Sequence, residues 1–158
     1  MSQVYLFDWG DTLMVDIKGA SGKMRDWPNV EMVKGADIAL SKLAKQHAIY
    51  IATGAADSSA DDIKAAFERI DLAQYITGYF CQANLGVGKG DVNFYLAIMN
   101  KLQLPASNVV MVGDSLSRDI VPAIECGLGA IWFNPNAQPS SGIKSINSLI
   151  ELISLNLG

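Results

Sequence analysis

Short apolar runs recur along this chain, each closed by a small, polar or acidic residue, and this rhythm restricts the fold more than any other feature. The runs are VYLF (4–7), AIYIA (48–52), GYFC (78–81), NVVMV (108–112) and AIWF (130–133). Runs of this length, bounded by Gly, Asp, Asn or Thr, read as strands. The intervals between them carry helical periodicity. GADIALSKLAKQ (35–46) sets Ile38, Leu40, Leu43 and Ala44 mostly on one face, and DDIKAAFERI (61–70) does the same with Ile63, Ala66, Phe67 and Ile70. NFYLAIMNKLQL (93–104) continues the pattern through Phe94, Tyr95, Ile98, Met99 and Leu102. The tail SINSLIELISL (145–155) presents Ile146, Leu149, Ile150 and Ile153, which predicts a closing helix on the sheet. Alternating strands and helices predict an α/β, Rossmann-like three-layer sandwich with a central parallel sheet of about five strands. No repeat, linker or composition shift divides the chain, so residues 1–158 read as a single core domain.

In such folds ligands bind beyond the carboxyl ends of the strands, near the switch in strand order. The residues that follow the strands here are unusually rich in chemistry. The first run leads into LFDWGDTL, with Asp8, Gly10, Asp11 and Thr12, and the second ends at Thr53 and Gly54. The fourth leads into GDSLSRD, with Asp114 and Asp119, and Lys89 is expected to open the helix before it. One sheet edge would therefore gather several carboxylates, a threonine and a lysine. Carboxylates brought together repel one another. A divalent cation relieves that repulsion, and the cation with Lys89 can then hold a phosphate.

Composition removes the competing site chemistries. His47 is the only histidine and Cys81 and Cys126 the only cysteines, so a zinc centre of His and Cys ligands is excluded. A metal site in this chain is expected to use carboxylate oxygens, which favour Mg2+. His47, in AKQHAIY, reads as a helix-end residue rather than a triad base. GVGKGD is not a phosphate-binding P-loop, because Ala83 occupies the first glycine position and Gly90 follows the lysine. Cys126 reads as structural, and Trp9 and Trp27 as packed or exposed rather than stacked on a substrate. A net charge of −4 argues against a nucleic-acid surface. No apolar run reaches the ~18 residues of a membrane span. QVYLFD follows the start without a basic region or cleavage site, so no signal peptide is expected. With so few cysteines, a cytoplasmic location is expected.

The motifs resemble those of the haloacid dehalogenase (HAD) superfamily of phosphohydrolases, in order and spacing and along nearly the whole chain. FDWGDTL resembles the first motif, IYIATG the second, VGKGDVNFYLAIMNKL the third and VVMVGDSLSRDIVPAIECGL the fourth. The resemblance implies a magnesium-dependent phosphatase in which Asp8 attacks phosphorus and forms an aspartyl-phosphate that water then hydrolyses. It implies metal binding by Asp8, the backbone carbonyl of Gly10 and Asp114, with Asp119 binding a metal water or orienting Lys89. It also implies phosphate binding by the Thr53 hydroxyl, the Gly54 amide and Lys89. The expected partner is a phosphorylated small molecule or larger substrate; whether the chain is a monomer or a homodimer stays open.

The chain departs from the family pattern at Gly10, where the phosphatases usually carry a second Asp that protonates the leaving group and then activates water. General acid–base groups contribute about 10²–10⁴-fold. Their loss matters most for poor leaving groups. Asp11, one position further on, either takes that role or occupies a turn that Asp tolerates. The alternative function is a phosphate- or metal-binding protein of this fold with little turnover and a regulatory role. The intervals between motifs are filled by core helices and strands, so no large cap domain is expected. Residues 14–35, rich in Gly and charge, read as a flap or minimal cap beside the site. Lys23 and Arg25 within it are expected as solvated loop charges, substrate contact being the other reading.

Overall fold

A computed structural model describes residues 3–140 and 142–155 of the chain. Strands β1 (Val4–Phe7), β2 (Ala48–Ala52), β3 (Gly78–Phe80), β4 (Val109–Gly113), β5 (Gly129–Phe133) and β6 (Ser145–Ile146) form one parallel sheet ordered β3-β2-β1-β4-β5-β6. The helices are α1 (Ala36–Leu43), α2 (Ala60–Glu68), α3 (Gln82–Leu85), α4 (Val92–Leu102), α5 (Val121–Glu125) and α6 (Glu151–Ser154). The chain runs outward from β1 through β2 to β3, then crosses back to place β4 on the other side of β1. The switch in strand order therefore falls between β1 and β4.

Strand alternation divides the core into two layers. Tyr5 and Phe7 of β1, Ile49 and Ile51 of β2, and Val110 and Val112 of β4 face one side with Leu40, Phe67 and Leu152 of α1, α2 and α6. Leu6, Ala52 and Met111 face the other with Phe94, Tyr95, Ile98 and Ala123 of α4 and α5. Both faces of the central strands are buried, which is why they read as continuous apolar runs rather than alternating ones. The three-layer sandwich expected from the sequence is the fold, and among the described residues no large cap domain stands on it.

The tail departs from the expected closing helix and adds a strand to the sheet. The sheet has six strands, because Ser145 and Ile146 pair with Trp132 and Phe133 instead of starting a helix. The Asn147 amide group donates to the Asn134 carbonyl (2.8 Å), tying the tail to the end of β5. The Glu151 carboxylate then accepts from the Asn147 and Ser148 backbone N–H groups (2.7 and 2.8 Å). Helical bonding is left to Glu151–Ser154, and Ile150 and Ile153 are exposed. On α1 it is Ala36, Ala39, Leu40 and Leu43 that face the core, while Ile38 is 51% exposed.

Residues 14–35 leave and return to the core as a folded excursion. Val15 N–H donates to Glu31 O and Val33 N–H to Leu13 O (both 2.8 Å), and Met14, Met24 and Trp27 are buried. Lys23 and Arg25 are not free loop charges. Both bind Asp62 (2.8 and 3.0 Å), whose Oδ2 also accepts from Ser59 N–H (3.0 Å) in the capping box of α2. Those cations and the capping bonds hold the Asp62 carboxyl well below the usual carboxylate range. The Arg69 guanidinium fastens the segment's far side by donating to Trp27 O.

Burial and exposure give contrasting expectations for two isoleucines. Ile51→Ala, at a fully buried central-strand position, is expected to cost about 2–5 kcal/mol in urea denaturation. Ile38→Ala is expected to change stability by no more than about 0.5 kcal/mol. Equal effects would contradict the assignment of α1's inward face.

Candidate active site

The carboxyl ends of β1, β2 and β4 converge because the ladder continues past them. Asp8 N–H donates to Val112 O (2.9 Å) and Thr53 N–H to Phe80 O (3.0 Å), so both residues stay in register as their side chains leave the core. Asp114 follows the last residue of β4, and its carbonyl accepts from the Trp132 indole (3.0 Å). Lys89 stands in the loop before α4, not at its start as expected. Gly90 there has φ +105°, in the left-handed region, and Asp91 caps the helix by accepting from Asn93 N–H (2.7 Å). Freed from the helix, Lys89 reaches back under the strand ends.

Its ammonium donates to Asp8 Oδ1 (2.7 Å) and the Ala52 carbonyl (2.8 Å), and pairs with Asp119 Oδ1 (2.6 Å). The side chain is 1% exposed, so these oxygens replace its hydration. Burial pushes the Lys89 ammonium toward the neutral form, but Asp8 and Asp119 outweigh it and raise its pKa. Burial likewise opposes ionisation of Asp8, yet Lys89 and the hydrogen bond from Asp114 hold it below the usual carboxylate range. Burial raises Asp119 despite Lys89. Burial and the neighbouring Asp8 push Asp114 up to about 7. The Thr12 hydroxyl lies between Asp8 Oδ2 and Asp114 Oδ1 (3.2 and 3.4 Å).

Asp8, Asp114 and Asp119 each bring one carboxylate oxygen to within 4.8 Å of the others. One ammonium cannot balance three carboxylates, and Asp114 shows the excess as a raised pKa. An all-oxygen set with unbalanced negative charge fits a hard divalent cation such as Mg2+. Asp8, Gly10, Asp11, Thr53, Gly54, Lys89, Asp114 and Asp119 all line one cleft of about 460 Å³. The Thr53 hydroxyl oxygen accepts from Ala55 N–H (3.1 Å), which leaves its proton to donate. Asp11 sits at φ +61°, and its Oδ1 accepts from Asp16 N–H (3.0 Å).

Arg118 and Asp16 are among the cleft residues not singled out in the sequence. A Cβ built on Gly54 would stand 2.5 Å from the Arg118 guanidinium and 2.9 Å from Lys89 Cβ, so position 54 must be glycine and Arg118 lies directly over it. Among the described residues the Arg118 guanidinium has no carboxylate partner. Its signal was its place immediately before Asp119, within the π-helical turn Leu116–Ile120. Asp16 also lines the cleft, and no motif marked it. Trp9 and Trp27 touch the cleft but are packed, with indole N–H groups bonded to Met14 Sδ (3.2 Å) and Gly22 O (3.0 Å).

Asp114 supplies a test of the charge excess. Its folded pKa of about 7 lies above its ordinary 3.8, so the folded protein holds a proton that the unfolded chain has lost. That contribution is complete at low pH and is lost as pH rises from about 4 to 7. In EDTA, Asp114→Asn is expected to raise the melting temperature at pH 8 and to flatten its fall between pH 5 and 8. Added Mg2+ is expected to raise the melting temperature of the parent protein and not that of the variant. Identical melting profiles would contradict this account.

A family model described as haloacid dehalogenase-like hydrolase matches residues 22–127, a range that holds Thr53, Lys89, Asp114 and Asp119. A pyrimidine 5'-nucleotidase, PynA of Streptococcus pneumoniae, is 29% identical over 94 residues. That match covers 54% of this chain, which spans only 40% of the length of the relative. An uncharacterised protein from Listeria monocytogenes serotype 4b superposes with a TM-score of 0.84 at 21% identity, covering 96% of this chain and 95% of its own. YfnB from Bacillus subtilis, a HAD-hydrolase solved bound to magnesium, superposes with a TM-score of 0.70 at 23% identity, over 78% of this chain and 55% of its own. These two likenesses speak to the fold, whereas the family model spans most of the sequence, and on that match the chain belongs to the haloacid dehalogenase-like hydrolases.

Proposed function

We propose that this hydrolase is a magnesium-dependent phosphomonoesterase working through an aspartyl-phosphate on Asp8. The observation that carries the reading is the buried Lys89 held between Asp8 and Asp119, in the wall of a cleft also lined by Asp114, Thr53 and Gly54. Asp8 is kept ionised, as a nucleophile toward phosphorus must be. Asp8, the Gly10 carbonyl and Asp114 would hold the metal, which supplies charge neutralisation between carboxylate and phosphate. Lys89, the Thr53 hydroxyl and the Gly54 amide donate to the phosphoryl oxygens, where negative charge is greatest during transfer. Asp119 is a positioning residue. It accepts from Ser115 N–H (3.0 Å) and holds Lys89 in place. Arg118, free above Gly54, binds an anionic part of the substrate.

The nucleotidase likeness makes pyrimidine nucleoside monophosphates the first substrates to try, beside sugar and aryl phosphates. Among the described residues no helix is long and apolar enough to cross a membrane. Free Cys81 and Cys126 suit a reducing compartment, and we place the enzyme in the cytoplasm. Segment 14–35, whose Gly22, Met24 and Trp27 line the cleft, serves as a minimal cap. Gly10 favours a second reading, a phosphate-binding protein with little turnover, because the usual proton-transfer carboxylate is missing there.

Hydrolysis of aryl phosphate is expected to require Mg2+ and to fall to the uncatalysed background in Asp8→Asn. Arg118→Ala is expected to raise KM roughly tenfold with a smaller effect on kcat. Calorimetric binding of phosphate and Mg2+ without any Asp8-dependent turnover would instead establish the second reading.

A further inference from the structure

The carboxylate missing at position 10 has a spatial counterpart. A Cβ built on Gly10 would lie 3.7 Å from the Cβ of Asp16, at ordinary van der Waals contact, so side chains at positions 10 and 16 would start side by side. The chain arrives there through a tight turn. Leu13 and Met14 N–H groups both donate to Trp9 O (3.1 and 3.2 Å), and Asp11 N–H donates to Met14 O (2.6 Å). Met14 bridges to Gly10, and two residues later Asp16 stands beside it. The turn is closed by Asp11, whose left-handed backbone lets its Oδ1 take the Asp16 N–H (3.0 Å). The Asp11 carboxylate is thus engaged in holding Asp16. The Asp16 carboxylate lines the cleft with Asp8 and Asp114, is exposed, and has no hydrogen-bond or ion-pair partner among the described residues.

We propose that Asp16 is the general acid–base of this enzyme, restoring from six residues downstream the carboxylate absent at Gly10. The assignment rests on the phosphomonoesterase reading above. In the first step an Asp8 oxygen forms a bond to phosphorus, the bond from phosphorus to the leaving oxygen breaks, and the Asp16 carboxyl proton passes to that oxygen. In the second step a water oxygen attacks phosphorus while the Asp16 carboxylate takes the water's proton. The Asp8–phosphorus bond breaks, releasing inorganic phosphate, and both residues return to their starting states. Asp11 is a positioning residue in this scheme.

The test compares Asp16→Asn, Asp16→Ala, Asp11→Asn and Asp8→Asn on a sugar phosphate and on 2,4-dinitrophenyl phosphate, with the phosphoryl-enzyme measured by intact mass. Since the Asp16 side chain bonds to nothing in the fold, its variants are expected to melt like the parent. Asp16→Asn and Asp16→Ala are expected to lose about 10²-fold or more on the sugar phosphate and far less in the first step on the activated ester. On that ester Asp16→Asn is expected to accumulate phosphoryl-Asp8, because its water is no longer activated. Adding Gly10→Asp to Asp16→Asn is expected to recover at least about tenfold of the lost rate. An equal loss on both esters without accumulating phosphoryl-enzyme would overturn the assignment. So would a leaving-group-dependent loss that follows Asp11→Asn instead. Parent hydrolysis that Asp8→Asn leaves unchanged would overturn the phosphomonoesterase reading and Asp16's role with it, an outcome distinct from the other two.

Discussion

The organisation of the site depends on one buried ammonium. Lys89 is bonded to Asp8 beyond β1, to the last carbonyl of β2, and to Asp119 beyond β4. It is a cross-brace among three strand ends supplied by a loop from outside the sheet. Removing water from such charges is expensive, and losing one partner of a buried pair costs about 3–5 kcal/mol. A hydrophobic side chain could fill the same space without that penalty. The polar arrangement is better understood by what it keeps in place: an ionised Asp8, with a hydrogen-bond donor beside it. Two glycines permit the arrangement. A Cβ at Gly54 would overlap Lys89 and Arg118, and one at Gly113 would overlap the Asp119 carboxyl group.

Lys89 does not neutralise the site, and the remaining charge is informative. Asp8 is held ionised while Asp114, a few ångströms away, is pushed toward its protonated form. Two carboxylates in one environment with opposite tendencies leave room for an added positive charge. Arg118 contributes a second cation, which has no carboxylate partner among the described residues. The cleft therefore holds a cluster of three carboxylates and, beside Gly54, a guanidinium. Under the function proposed above, that pairing suits a dianionic group held between a metal and an arginine.

Segment 14–35 is the part of the chain proposed above as a minimal cap, and it contributes Gly22, Met24 and Trp27 to the cleft. It is fastened at both sides, through Lys23 and Arg25 to Asp62 and through Arg69 to the Trp27 carbonyl. Its bonds run to the N-terminal and C-terminal ends of α2, so the segment and that helix form one unit above the strand ends. The same excursion carries Asp16 back to Gly10. The proposed cap and the proposed proton transfer thus fall on a single stretch of chain.

The layering and three of the strand-end groups were legible in the sequence, because burial on both faces of a parallel sheet imposes apolar runs and a polar residue after such a run marks where the strand leaves the core. Asp8, Thr53 and Asp114 needed only that rule, whereas Asp119, six residues beyond β4, was marked by the resemblance of GDSLSRD to the fourth motif. The tail and the position of Lys89 were misread for a common reason. Helical periodicity in Ile146–Ile153 was outweighed by the Glu151 carboxylate and by Asn147 reaching Asn134, and helix entry after Lys89 was delayed by Gly90 and Asp91. Local side-chain bonds of this kind leave no period to detect. Arg118 above Gly54, Lys23 and Arg25 on Asp62, and Asp16 beside Gly10 were decided only by the tertiary structure. Each is a meeting of side chains brought together by a turn or a crossover, and a sequence records the order of residues along the chain, not the distance between them after it has turned back on itself.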